Sequence, residues 1–175
     1  VIDSGLSRDA RFDANTGLTR LVTRKVSQAE SVQRAGRAGR TSKGICYRWW
    51  SEDSQSRLMA QAEPQINVTD LAGLVLELAK WGVNQPQELS WLNPIPSGNW
   101  QQAVNLLKQL GALEESDGLQ LSLLGKTMSS FSVPARIARL LCAGISINEE
   151  ESSTLMAAIL SEGPIAASQI DLNEQ

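Results

Sequence analysis

The sequence predicts an α/β segment carrying a β-hairpin, followed by a mostly helical remainder. Three observations predict it. Within residues 1–50, short β-prone runs flank one capped helix. From Ser51 onward, apolar residues recur at helical spacing. The charge also changes sign there: ten Lys/Arg against four Asp/Glu up to residue 50, then six against fifteen. The formal net charge of -3 therefore averages a +6 segment with a -9 segment. A basic first third suits phosphate contacts or a solvated surface, and an acidic remainder suits a scaffold.

Each element follows from local chemistry. Val1-Ile2-Asp3 reads as the end of a buried strand running into a turn at Gly5. Ala10-Arg11-Phe12 and Leu18 to Arg24 flank the turn-rich Asp13 to Gly17, which predicts a hairpin. Arginines interleave on its second arm, so it is a basic ribbon rather than a core strand. Ser27 and Glu30 form a capping box that starts a helix through Ala35, stopped by Gly36 and Gly39. Gly44 to Trp50 is strongly β-prone.

The helical part begins with Glu52 to Ala62, closed by Pro64. Asp70 is placed to cap a helix over Leu71 to Trp81, with Leu71, Leu74, Val75, Leu78 and Trp81 inward and Gly82 after its end. Leu92 to Pro96 is an extended connector. A helix over Trp100 to Leu110 turns Ala103, Val104, Leu107 and Leu110 inward. Leu113 and Leu119-Gln120-Leu121 flank an Asp117-Gly118 turn, a small hairpin. Leu124 to Phe131, Arg136 to Cys142 and Glu149 to Leu160 are three further helices. Helix, helix, small hairpin, helix is a winged-helix order. Its helices are acidic or neutral, which favours a structural role over a nucleic-acid contact.

Composition excludes several chemistries. There is no histidine, so neither a Ser-His-Asp triad nor a Cys-His pair can be built from these residues. Cys46 and Cys142 are too few for an all-cysteine zinc site, and two thiols suit a reducing compartment, which points to the cytoplasm. The apolar runs are too short to span a membrane. The opening Val1, without an initiator Met or a leader, is expected to mark a cut inside a larger protein.

The strongest chemical signal is Gln33-Arg34-Ala35-Gly36-Arg37-Ala38-Gly39-Arg40. Arginines recur every third residue. Each presents a planar fork of donors matched to phosphate oxygens. Gly36 and Gly39 would let the backbone approach an anion and adopt a positive φ. Gln33, one turn earlier, can orient a water or contact a terminal phosphate. The competing reading is a basic loop that binds nucleic acid without catalysis.

This string resembles motif VI of superfamily 2 helicases in the form found in the DEAH-box group. The resemblance extends both ways. Val1 to Leu6 resembles the strand after motif V, and Arg8 to Arg24 resembles the β-hairpin that DEAH helicases direct at nucleic acid. Pro64-Gln65-Ile66, Leu92 to Pro96, Leu110-Gly111-Ala112-Leu113 and Leu124-Gly125-Lys126 resemble stretches in and around the winged helix of that group. Pro134-Ala135-Arg136 departs from the usual X-Pro-Arg start of the next helix.

The resemblance implies three parts. Residues 1-62 would end the second RecA-like helicase domain, 63-131 would form the winged-helix domain, and 132-175 would start a helical bundle. It implies an ATP-dependent RNA helicase using ATP with Mg2+. Arg37, Arg40 and Gln33 would be catalytic, with Gly36 joining them in holding the nucleotide. Arg34 would be structural. Arg11, Phe12, Arg20 and Arg24 on the hairpin would contact RNA or single-stranded nucleic acid. A phosphate loop and a D-E-x-H box are absent, so a first RecA-like domain would be the partner. The segment alone would not hydrolyse ATP. The alternative is a non-catalytic nucleic-acid-binding module built from ribbon and winged helix.

Overall fold

A computed structural model describes residues 1–13, 18–116 and 118–162. The chain divides into two units, residues 1–70 and 71–175. The tip of the expected hairpin, Asp117 of the second turn and everything after Glu162 lie outside the described residues.

The first unit is built around a long hairpin. β2 (Leu6–Asp13) and β3 (Leu18–Lys25) run antiparallel, with Leu6 opposite Lys25 and Arg11 opposite Arg20. β1 (Ile2–Asp3) pairs in parallel with β4 (Tyr47–Arg48). Gly5, at φ +74°, makes the corner between β1 and β2, and a Cβ there would lie 2.8 Å from the Trp50 ring. α1 (Gln28–Gly36) follows the hairpin and passes into a 3₁₀ turn at Arg37–Gly39. Its capping box is formed: Ser27 Oγ accepts from the Glu30 N–H and the Glu30 carboxylate accepts from the Ser27 N–H.

Three expectations here are corrected. The first strand is not buried: Ile2 is 73% exposed, because β4 is its one pairing partner among the described residues. The strand expected over Gly44 to Trp50 is reduced to two residues, with Tyr47 and Trp49 exposed. The helix expected over Glu52 to Ala62 is α2 (Glu52–Ser56), five residues long. It has few apolar side chains to bury, and its serines compete for the backbone.

The second unit holds most of the apolar core. α3 (Ala72–Lys80) and α4 (Ser97–Gln109) pack on each other, and Val75, Leu78, Val104 and Leu107 are buried on them. α3 begins at Leu71 without a side-chain cap, so Asp70 does not fill the N-cap position. It ends as expected, with Gly82 at φ +82° and the Val83 N–H on the Leu78 carbonyl. Trp81, expected to face inward, is exposed. The small hairpin is a single bridge, Leu113 to Leu121, supported by the Glu114 N–H on the Gln120 carbonyl. α5 (Leu123–Met128) buries Met128. α6 (Ala135–Ser146) begins after Pro134, one residue earlier than expected, and packs on α7 (Glu150–Glu162). Gly144 meets the buried Ser153 there, leaving no room for a Cβ. Among the described residues no helix is long and apolar enough to cross a membrane.

Candidate functional site

The residues Gln33 to Arg40 sit on α1 and the 3₁₀ turn that continues it. Gln33 and Arg37 are four residues apart on a helix and so are neighbours on its surface. The change to 3₁₀ geometry then matters. With three residues per turn, Arg37 and Arg40 stack one above the other. The Arg37 N–H on the Arg34 carbonyl and helical dihedrals at Arg40 carry the chain through that tighter turn. Gln33, Arg37 and Arg40 are all exposed. Among the described residues none of the three side chains makes a hydrogen bond or ion pair. They form a row of free donors.

The glycines between them play a different part from the one expected. Gly36 sits at φ -60° and ψ -21°, and neither Gly36 nor Gly39 has a positive φ. A left-handed loop is not needed, because the helix simply tightens. A Cβ at either position would meet nothing within 4 Å. What the two glycines contribute is an unobstructed surface beside the guanidinium groups, where an anion could touch the backbone.

Behind this row, three contacts fix α1. Arg34 lies about 100° round the helix from Gln33. Its Nη1 donates to Asp3 Oδ1 at 3.0 Å and to the Leu6 carbonyl at 2.9 Å. Asp3 is 3% exposed; its Oδ1 also accepts from the Gly5 N–H, and its Oδ2 has no partner among the described residues. The Arg34 guanidinium is thus engaged by the fold itself. The third contact is at Gly44, where a Cβ would come within 1.8 Å of the Ala38 carbonyl oxygen. The chain leading to β4 therefore presses on the turn that carries Arg37 and Arg40.

The hairpin's arginines are distributed unlike those of α1. Register puts Arg11, Arg20 and Arg24 on one face together with Asp9 and Asp13. Arg24 is only 15% exposed on its side chain. It grips both Glu30 oxygens, at 2.9 and 2.8 Å, and also pairs with Asp9. Its guanidinium is not available to a phosphate, which corrects its expected role. Arg11 pairs with Glu63 at 3.0 Å and is half-exposed. Phe12 is half-buried, and its N–H donates to the Val68 carbonyl, so it does not project freely. Arg20 is exposed with no partner among the described residues. Arg8 and Lys25 are exposed on the other face, beside Leu21. Sequence reasoning missed both, since alternation was followed on one arm only.

The Arg24–Glu30 pair was also missed, although both residues are visible in the sequence. Glu30 registered as a capping residue alone. Its carboxyl is held down to about 2 by the Arg24 hydrogen bonds and then by the Ser27 N–H, against the opposing effect of burial. The same pair pushes Arg24 up beyond its ordinary value. In the second unit, burial pushes the Cys142 thiol up, so it is a core residue rather than a nucleophile. Among the described residues no group of three or more His, Cys, Asp or Glu side chains could hold a metal ion.

The chain as a whole is similar to known helicases. Residues 103–133 match the helicase-associated HA2 domain, described as a winged helix. The chain is 43% identical to the ATP-dependent RNA helicase HrpB of Escherichia coli over 94% of its own length and 20% of that protein. It is 35% identical to the ATP-dependent RNA helicase HrpA of the same organism, over 80% of this chain and 11% of HrpA. The crystal structure of the E. coli DEAH/RHA helicase HrpB matches with a TM-score of 0.84 at 42% identity, over 95% of this chain and 21% of that one. The chain spans about a fifth or less of the length of these relatives.

Proposed function

We propose that this chain, which carries the HA2 winged helix of the DEAH-box helicases, is one segment of an ATP-dependent RNA helicase. Residues 1-62 would then be the end of the second RecA-like domain, 63-131 the winged helix, and 132-175 the start of a helical bundle. The observation that carries the site assignment is the free row Gln33, Arg37 and Arg40 beside the open backbone at Gly36 and Gly39. The three side chains lie exposed on a helix fixed from behind by Arg34 and Glu30, so their donors are open to an anion.

The donor set fits the β- and γ-phosphates of ATP. Arg37 and Arg40, stacked a turn apart, present forked donors to oxygens on which charge develops during phosphoryl transfer. Gln33 orients the attacking water or the terminal phosphate. Mg2+ bound with ATP would neutralise charge between the phosphates, held by the first RecA-like domain. Arg34 keeps the row aimed outward and touches no phosphate. On the hairpin, the exposed Arg20 meets the RNA backbone, with Arg11 and Phe12 closer to the fold; Arg8 and Lys25 offer the same chemistry on the opposite face. The segment by itself is then inactive towards ATP, and a cytoplasmic helicase is the natural setting.

The test uses the full-length protein. Arg37→Ala and Arg40→Ala are each expected to lower kcat for ATP by about 10³-fold or more while RNA affinity stays nearly constant. If ATP turnover survives and RNA affinity falls instead, with a shallower salt dependence, the alternative of a non-catalytic RNA-binding module is correct.

A further inference from the structure

The hairpin and α1 meet in an arrangement that serves neither phosphate binding nor core packing. Glu30 and Arg34 are four residues apart and therefore lie one turn from each other on α1. Each holds a different arm of the hairpin, and each holds it at the base. Glu30 takes both oxygens of its carboxylate to Arg24, near the end of β3. Arg34 donates to the carbonyl of Leu6, the first residue of β2. Leu6 is opposite Lys25 and Arg24 is opposite Ser7 in the register, so the two grips close on neighbouring rungs at the base of the ribbon. Arg24 Nη1 also donates to the Lys25 carbonyl, and Arg24 reaches across to Asp9 on the other arm. The Val26 N–H donates to the Gly5 carbonyl, and Val26, Ser27 and Ser31 are buried beneath the junction. There is little slack in it.

We infer that Glu30, Arg34 and Arg24 are positioning residues that tie the aim of the Gln33–Arg37–Arg40 row to the hairpin, making nucleotide turnover responsive to RNA. This rests on the function proposed above and deepens it. The lever is short. Glu30 to Arg37 is seven residues of helix, about 10 Å, with no glycine before Gly36 to absorb a tilt. A displacement of the hairpin base by bound RNA reaches α1 through two side chains rather than one, so α1 turns with it instead of pivoting. A bidentate Arg–carboxylate grip fixes direction as well as distance.

One substitution separates this role from helix capping. Gln at the third helical position still completes a capping box, so Glu30→Gln keeps the helix start and removes the charged fork to Arg24. ATP turnover of the full-length protein is measured without RNA and with saturating poly(U), together with poly(U) affinity. Glu30→Gln is expected to lower the RNA-stimulated kcat by about 5- to 10-fold. Basal kcat and poly(U) affinity should stay within about twofold of the parent. Arg24→Gln should give the same loss, and the double variant no further loss, since both break one link. Equal falls in basal and stimulated turnover, unchanged stimulation, or additive losses in the double variant would each overturn the inference. Arg37→Ala is measured alongside. If it leaves turnover intact, the reading of the arginine row fails first, whatever Glu30→Gln does.

Discussion

The arginines of the 3₁₀ turn after α1 and those of the hairpin are the same residue in the same basic segment, yet the structure uses them oppositely. Arg37 and Arg40 stand free on a helix fixed from behind. Arg24 and Arg11 are occupied by Glu30, Asp9 and Glu63. Composition gives the first 50 residues a single character, net +6. Pairing divides it. A carboxylate within about 3 Å turns an arginine from a ligand-binding group into a strut, because its donors are spent and its direction is set. Arg34 belongs with the struts although it lies inside the eight-residue string, held by Asp3. Charge count therefore overstates what the hairpin can offer to an anion and understates how firmly it is joined to α1.

The largest effect that would break this contrast comes from Gly44. A methyl group there must displace the Ala38 carbonyl, in the turn between Arg37 and Arg40. Gly44→Ala is expected to cost about 1–3 kcal/mol by overpacking and to lower kcat for ATP as the turn shifts. Gly36→Ala is the control for stability alone, since Gly36 itself lies in the proposed nucleotide site. It sits in helical conformation with open space around it, so it should stabilise by about 0.5–1 kcal/mol. Thermal melting and ATP turnover of the full-length variants check both. A neutral Gly44→Ala would show that α1 and its turn are aimed by something other than this contact.

How far the sequence reveals the molecule depends on where information is local. The capping box at Ser27, the hairpin, the helix end at Gly82, and the row Gln33, Arg37, Arg40 are all legible, since each needs only neighbours in the chain. What is not legible depends on partners far along it. Asp3 pairs with Arg34 thirty-one residues away, and Gly44 reads as an ordinary strand start until Ala38 is seen against it. Arg24 looks like its neighbour Arg20 by alternation, and only Glu30 and Asp9 tell them apart. The over-long helix at Glu52 fails for another reason: helical propensity without an apolar face does not hold a short helix in water.

A second, intermediate effect lies in acid. The Glu30 carboxyl sits at about 2 in the folded chain against an ordinary 4.5. A depressed carboxyl contributes stability that is fully present above about 4.5 and is lost as pH falls through about 2. Backbone amide protection at the start of α1 should therefore fall across that window, and the fall should be absent in Glu30→Gln. Hydrogen exchange at the Glu30 and Ser31 amides reads it. Protection that ignores pH in the parent chain would mean the Arg24 strut does not hold α1.

The smallest effect discriminates best between the two kinds of arginine. If Arg20 is the free cation of its face, Arg20→Ala removes one phosphate contact. Weakening should be uniform across RNA sequences, and the slope of log affinity against log salt should fall by about 0.7, the value for one contact on a single strand. Arg24→Ala removes as much formal charge from the same face but breaks internal ion pairs, so it should leave that slope unchanged. Titrations with poly(U) at several salt concentrations make the comparison. Equal slopes for Arg20→Ala and the parent would place the RNA on the opposite face, where Arg8 and Lys25 flank Leu21. Arg8→Ala would then carry the loss. Either way the slope counts contacts rather than charge, which is the distinction that composition cannot make.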